Sequence, residues 1–143
     1  MKWPGVIRMA RDDDGPGIGD LFAACQWNDY GIDWERAKPG GWWLVGERND
    51  QIVGAVQLTV SRPFGWIGNL LVHPSERGRS DLGLAPALGS LAFSLMAIAQ
   101  GMLLKNGSQV MVGITHDRTW LELLERYGAQ SMGAATLTAK RIA

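Results

Sequence analysis

The chain has 143 residues, 46% hydrophobic and 20% charged, which suits one folded domain with a real core and excludes a disordered segment. Lys+Arg and Asp+Glu both number 14, and a formal net charge of zero argues against a nucleic-acid partner held by its phosphates. The one cysteine, Cys25, can close no internal disulfide and has no CxxC partner for a metal site, so a small buried thiol and no metal are expected.

The opening stretch MKWPGVIRMARDDDG lacks an apolar run of signal-peptide length. Val6 to Ala10 alternates and predicts a short strand, followed by a polar turn cluster, Arg11 to Gly19. Apolar residues at helical spacing predict a helix over Asp20 to Asn28, and a second short helix is expected from Ile32 to Ala37. Pro39-Gly40-Gly41 reads as a loop. Trp42 to Glu47, Gln51 to Ser61 and Trp66 to Val72 predict three strands in an antiparallel meander, with turns at Asn49-Asp50 and at Pro63 to Gly65. Trp42 and Trp43 must point to opposite faces of their strand, so at least one is not directed into the core.

Pro86 to Leu104 carries Leu88, Leu91, Leu95, Met96, Ala99, Met102 and Leu103, the spacing of a helix with one broad apolar face, closed by Asn106-Gly107. The apolar segment Leu82 to Leu104 is interrupted by glycines, a proline, serines and a glutamine, so it reads as a buried helix and not a membrane span. A strand over Val110 to Thr115, a helix capped by Asp117 and ending at Gly128, and a last strand over Ala135 to Ile142 complete the order β-α-α-β-β-β-α-β-α-β. The expectation is one domain spanning residues 1–143, in the α+β class. It would have three layers, with a mixed, mostly antiparallel sheet flanked by helices. The expected location is the cytoplasm.

This order, with the stretch NLLVHPSERGRS (Asn69 to Ser80) between strand and helix, resembles the GNAT family of acyl-CoA-dependent N-acyltransferases. The family's acyl-CoA motif runs Val-x-Pro-x-x-Arg-Gly-x-Gly-x-Gly, and Val72, Pro74, Arg77 and Gly78 match it in place. VGERNDQIVGAVQL looks like the family's second and third strands, and LELLERYGA like its late helix. The resemblance implies acetyl-CoA as cosubstrate and transfer of its acetyl group to an unidentified amine. In such a loop, backbone N–H groups and the start of a helix converge on the pyrophosphate, and small residues let the anion approach. Leu71, Val72, Arg77, Gly78, Arg79, Ser80, Gly83, Leu84 and Ala85 are the residues it assigns to the cofactor. Two registers are open. Read without insertion, the later motif glycines fall on Ser80 and Leu82. Read three residues later, Gly83-Leu84-Ala85 takes their place and Pro86 opens the helix, where a proline is favoured. The second is preferred.

The catalytic groups of the family carry over poorly. The strand Trp66 to Val72 has no carboxylate, and the family's tyrosine position falls on Leu124, three residues before Tyr127. Asn69, His116 and Tyr127 remain as candidates, His116 because its ordinary pKa suits proton transfer. His73, beside Pro74, is expected to face solvent. Loss of the motif glutamate and tyrosine keeps a second expectation open, that of a catalytically inactive binding or assembly protein. That form would have the look of compact phage-encoded members and be virion-associated. Neither nucleic acid nor membrane is an expected partner, and a homo-oligomer or protein partner is left open. The tryptophans Trp27, Trp34, Trp42, Trp43 and Trp66 mark either core filling or an apolar acceptor pocket.

Overall fold

The computed structural model describes residues 3–77 and 89–114, with 125, 128, 130–131 and 137–141 beyond them. Its centre is a seven-stranded sheet in the order β1-β2-β3-β4-β5-β7-β6. The strands are β1 (Val6–Met9), β2 (Trp42–Arg48), β3 (Gln51–Ser61), β4 (Phe64–Val72), β5 (Val110–Ile114), β6 (Gln130–Ser131) and β7 (Leu137–Arg141). Every neighbouring pair is antiparallel except β4 and β5, which run parallel. Helices α1 (Gly15–Ala24) and α2 (Trp34–Ala37) pack on one face, and α3 (Gly89–Lys105) packs on the other. The architecture is the expected three-layer α+β sandwich around a mixed sheet.

The meander forms because its turns suit its residues. Asn49 and Asp50 adopt φ of 53° and 60°, the left-handed pair that a two-residue hairpin needs and that Asn and Asp tolerate. β3 covers the expected Gln51–Ser61, and β2 runs one residue further than expected, to Arg48. The second turn is tighter than predicted. Arg62-Pro63 alone reverses the chain, so Phe64 and Gly65 already pair with Ser61 and Val60 in β4.

α3 buries Leu91, Leu95, Ala99 and Leu103 against Leu44, Val56, Leu58 and Ile67, each large side chain contributing roughly 1.5–3 kcal/mol. The helix lies close because Gly46 and Gly54, paired across β2 and β3, have no side chains there. A Cβ on either would come within 2.8 Å of Leu91. The helix ends as its sequence predicts, with Gly107 at φ 91° and the Ser108 and Gly107 N–H groups donating to the carbonyls of Leu103 and Leu104.

The other face differs from expectation in detail. α1 starts at Gly15, not Asp20, and ends at Ala24, not Asn28. Pro16 sits in the first turn, where its missing N–H costs nothing, and Ile18, Leu21 and Phe22 bury at helical spacing, which outweighs the glycines on either side. Gln26, at φ 62°, breaks the chain into a separate 3-10 turn over Trp27–Tyr30. α2 begins at Trp34, because Asp33 caps it by accepting from the Arg36 N–H. β6 is an extra strand of two residues, pairing with Ala139 and Thr138 of β7. Of the predicted helix after Asp117, Glu125 is helical and Gly128, at φ 99°, donates its N–H to the Glu125 carbonyl at 3.0 Å, while its other residues and Thr115 lie outside the described residues. Among the described residues no helix is long and apolar enough to cross a membrane.

Candidate functional site

β4 has two unlike halves. Over Phe64–Ile67 it is laddered on both sides, to β3 and in parallel to Val110–Gly113 of β5. Beyond Ile67 it continues for five more residues, while the described run of β5 ends at Ile114. At that point the register with β3 slips. Ala55 pairs with Leu71 and Gln57 with Gly68, so Asn69 and Leu70 together face the single residue Val56. Such a bulge bends its strand and leaves one residue's backbone out of the ladder. Asn69 takes φ of 48°, a left-handed conformation that asparagine tolerates better than most residues. A Cβ built on Gly68 meets no atom within 4 Å, so open space lies beside the bulge. The stretch of β4 from Gly68 to Val72, past its described pairing with β5, together with this space is termed the fork.

A buried amide holds the bulge from beneath. Gln57, 9% exposed, accepts from Asn69 Nδ2 at 2.6 Å and donates its own Nε2–H to the carbonyl of Ala37 at 3.2 Å. Space for it exists because residue 40 is a glycine. A Cβ on Gly40 would overlap the Gln57 amide nitrogen. Thr59 Oγ1 donates to the Gly40 carbonyl at 2.8 Å, so the segment after α2 is stitched to β3 at two points.

The chain leaves β4 through a short 3-10 turn, Pro74–Glu76. His73 begins it. The Ser75 backbone N–H donates to His73 Nδ1 at 3.1 Å, so that nitrogen carries the lone pair, in a partly exposed setting. Glu76 is buried at 3% exposure, yet it is held by Arg48 Nε at 3.3 Å and by the Trp3 indole N–H at 3.3 Å. Arg77 turns back. Its Nε donates to the Val72 carbonyl at 2.8 Å, where the Cys25 thiol also points, at 3.4 Å. Burial pushes the Cys25 thiol up, and the nearby Arg77 charge only partly opposes this, so the group is a neutral packing thiol.

Beyond Gln57, the α1 and α2 face is aromatic. Phe22 meets Trp27, Trp34 and Trp43, and Trp34 stands edge-on to Trp43 at 5.1 Å between centroids. Trp43 is 3% exposed and Trp42 42%, the opposite facing that their adjacency predicts. Trp34, Trp42 and Trp43 line a groove of about 1030 Å³ with Asp33, Glu35 and Lys38 on its rim. A smaller cleft, about 390 Å³, lies where α1 meets the β2–β3 turn and carries Asp13, Asp20 and Asp50 near His73. Its floor is Arg8, which binds Asp14 through two hydrogen bonds of 2.7 and 2.8 Å and also bridges to Glu47. The Arg8 guanidinium holds the Asp14 carboxyl at about 2, well below the usual carboxylate range.

Of the residues singled out in the sequence, the fork brings together Asn69, Leu71 and Val72, with Arg77 at its mouth. Leu71 and Val72 turn their side chains into opposite cores, so only their backbones face the fork. Gly78, Arg79, Ser80, Gly83, Leu84, Ala85, His116 and Tyr127 lie outside the described residues, as do Leu82 and Pro86, which bear on the register. Sequence reasoning missed Gln57. Its signal is a lone amide in the apolar run Ile52–Leu58, a position where a polar side chain needs a buried partner. Among the described residues no three His, Cys, Asp or Glu side chains are placed to hold a metal ion.

The sequence profile of the acetyltransferase (GNAT) family matches residues 6–80, just over half of the chain. No curated protein sequence matches it. Solved structures share its fold at low identity. The N-acetyltransferase YhbS from Escherichia coli, in complex with CoA, is 18% identical with a TM-score of 0.70, over 97% of this chain and 82% of that one. A GNAT family acetyltransferase from Brucella melitensis in complex with acetyl-CoA gives 15% and 0.69, over 97% and 88%. Aminoglycoside 6'-acetyltransferase type Ii gives 16% and 0.76, over 96% and 97%.

Proposed function

The chain belongs to the acetyltransferase (GNAT) family, and from that premise we propose that it binds acetyl-CoA in the β4–β5 fork and transfers the acetyl group to an amine. The observation that carries this reading is the bulge at Asn69, just past the described pairing of β4 with β5, where one residue's backbone drops out of the ladder to β3. Structural neighbours solved with CoA or acetyl-CoA support the choice of acyl donor. Fit is good on this chain's own geometry: Gly68 leaves open space beside the bulge, and the backbones of Leu71 and Val72 line the strand that follows. The loop residues Gly78, Arg79, Ser80, Gly83, Leu84 and Ala85 complete the proposed pyrophosphate cradle, with Arg77, whose Nε holds the Val72 carbonyl, as its charged partner for a phosphate.

Acetyl-CoA supplies an activated acyl carbon. A neutral amine forms the C–N bond as the C–S bond breaks, the amine's proton passes to water or to His116, and the departing thiolate is protonated by water or by Tyr127. Asn69 is neutral and removes no proton; its part is to bind the amine. Backbone N–H groups at the bulge stabilise the charge that develops on the carbonyl oxygen.

Calorimetry with acetyl-CoA, followed by thiol release with a panel of amines, tests this directly. Binding with release of free CoA is the expected result. Binding without release from any amine favours the inactive binding protein, and no binding removes the reading altogether. Arg77→Ala is expected to weaken binding about tenfold, the loss of one charge-assisted contact. His116→Ala is expected to lower turnover by roughly 100-fold or more at unchanged CoA affinity.

A further inference from the structure

Asn69 is the polar side chain at the bulge, and what it offers a substrate depends on which way its amide is turned. Oxygen and nitrogen of an amide are interchangeable in shape but opposite in hydrogen bonding. The sense is set here from a distance. Ala37 contributes a backbone carbonyl, which can only accept. The Gln57 atom facing it at 3.2 Å must therefore be the Nε2 donor. That turns Gln57 Oε1 toward Asn69, so the Asn69 atom facing it at 2.6 Å must be the Nδ2 donor. The Asn69 Oδ1 is left pointing elsewhere, with no partner among the described residues. Asn69 itself is half-buried, beside the open space at Gly68.

We propose that Gln57 is a positioning residue for the acceptor amine: through the Ala37 carbonyl it fixes Asn69 so that Oδ1, an acceptor, faces the incoming N–H. The inference rests on the acetyl-transfer reading for its setting, but the polarity of the relay is a property of the chain itself. An amine N–H is matched by this arrangement, and a substrate group with lone pairs only is not. The relay also explains two features that packing alone does not require. One is an amide in an otherwise apolar strand. The other is a glycine at position 40, where any side chain would displace that amide. Because Ala37 closes α2, the segment that bears Trp34 and the bulge that meets the acyl donor are held by one string of hydrogen bonds.

Two measurements on the intact protein test this, with n-butylamine as the probe. The first is kinetic. Gln57→Leu keeps the volume and removes both hydrogen bonds, and it should raise KM for n-butylamine about tenfold while leaving KM for acetyl-CoA within twofold. Gln57→Glu, whose carboxylate still accepts from Nδ2, should restore most of the amine affinity. In an Asn69→Ala background, Gln57→Leu should add nothing. The second needs no turnover. In the nitrogen-15 spectrum one Asn69 side-chain amide proton should exchange slowly, n-butylamine should shift that resonance, and Gln57→Leu should abolish both effects. Two amide protons exchanging at the solvent rate in the wild type would overturn the proposal. So would an amine response that survives Gln57→Leu, or additive losses in the double variant. Failure of acetyl-CoA to bind would instead sink the acetyl-transfer reading, and the spectrum would still decide the relay.

Discussion

Two register slips interrupt the meander, and they are built from opposite materials. Between β2 and β3, Gly46 pairs with Gly54 and Glu47 with Ile52, so Val53 is the extra residue. Val53 is 3% exposed, sits in the α3 core, and its carbonyl accepts the His73 N–H at 2.8 Å. Between β3 and β4 the extra residue is Asn69, half-buried, left-handed, and tied through its side chain to Gln57. The first slip is consumed by packing. The second sets a polar residue beside open space. A bulge alone therefore does not make a site: what matters is whether the core absorbs the extra residue or leaves it available.

The comparison breaks most visibly by exchanging the materials. Val53→Asn would bury an amide where no partner waits and should cost roughly 3–4 kcal/mol, the lost apolar burial plus desolvation of the amide. Thermal unfolding should then shift down by about ten degrees. A smaller shift would mean that the first slip also tolerates a polar residue.

Acid is the next lever, because the first slip is flanked by Glu47 and the Arg8–Asp14 pair. The Asp14 carboxyl sits at about 2 in the folded protein against about 4 in an unfolded chain. A lowered folded value stabilises the protein above pH 4 and is lost as pH falls from about 4 to about 2. The loss amounts to roughly 2 kcal/mol, and in Asp14→Asn this part of the pH dependence should disappear. Urea melts at pH 5, 4 and 3 would show it.

Weaker in stability but sharper in function is Asn69→Gly. Glycine accepts φ of 48° freely, which offsets the lost hydrogen bond to Gln57, so stability should stay within about 1 kcal/mol. Amine affinity should nevertheless fall about tenfold. Smallest of all in stability is Gly68→Ala. Its new methyl meets nothing in the fold and should change stability by less than about 0.5 kcal/mol. A bulkier Gly68→Leu, reaching into the same space, should weaken acetyl-CoA binding at least tenfold by calorimetry if that space is the fork's interior.

How much of this could be read beforehand depends on where the deciding forces act. β3, the Asn49-Asp50 hairpin and the end of α3 follow from local rules, alternation, turn chemistry and a glycine cap, and all were legible. The start of α1 was not, because Gly15-Pro16-Gly17 reads as a turn until Ile18, Leu21 and Phe22 are seen to share one buried face. β6 has two residues and no periodicity to detect. At the site, Asn69 stood out as the polar residue of its strand, but its left-handed backbone comes from a slip against β3 that no window of sequence contains. Gln57 was visible only as an anomaly. Its meaning required Ala37 and Gly40, some twenty residues away in sequence, to arrive beside it.

The parallel seam between β4 and β5 has a consequence for the order in which the molecule assembles. β2, β3 and β4 meet through two-residue turns, whereas Ile67 finds Gly113 only after the whole of α3 has been laid across the sheet. Closing so long a loop must wait until the helix has its platform, so the meander is expected to nucleate and β5 to dock last. Amide exchange should then show Val56 outlasting Val112. The cofactor, on the proposed reading, enters along the seam that closes latest and opens first, where separating two strands disturbs the least of the fold.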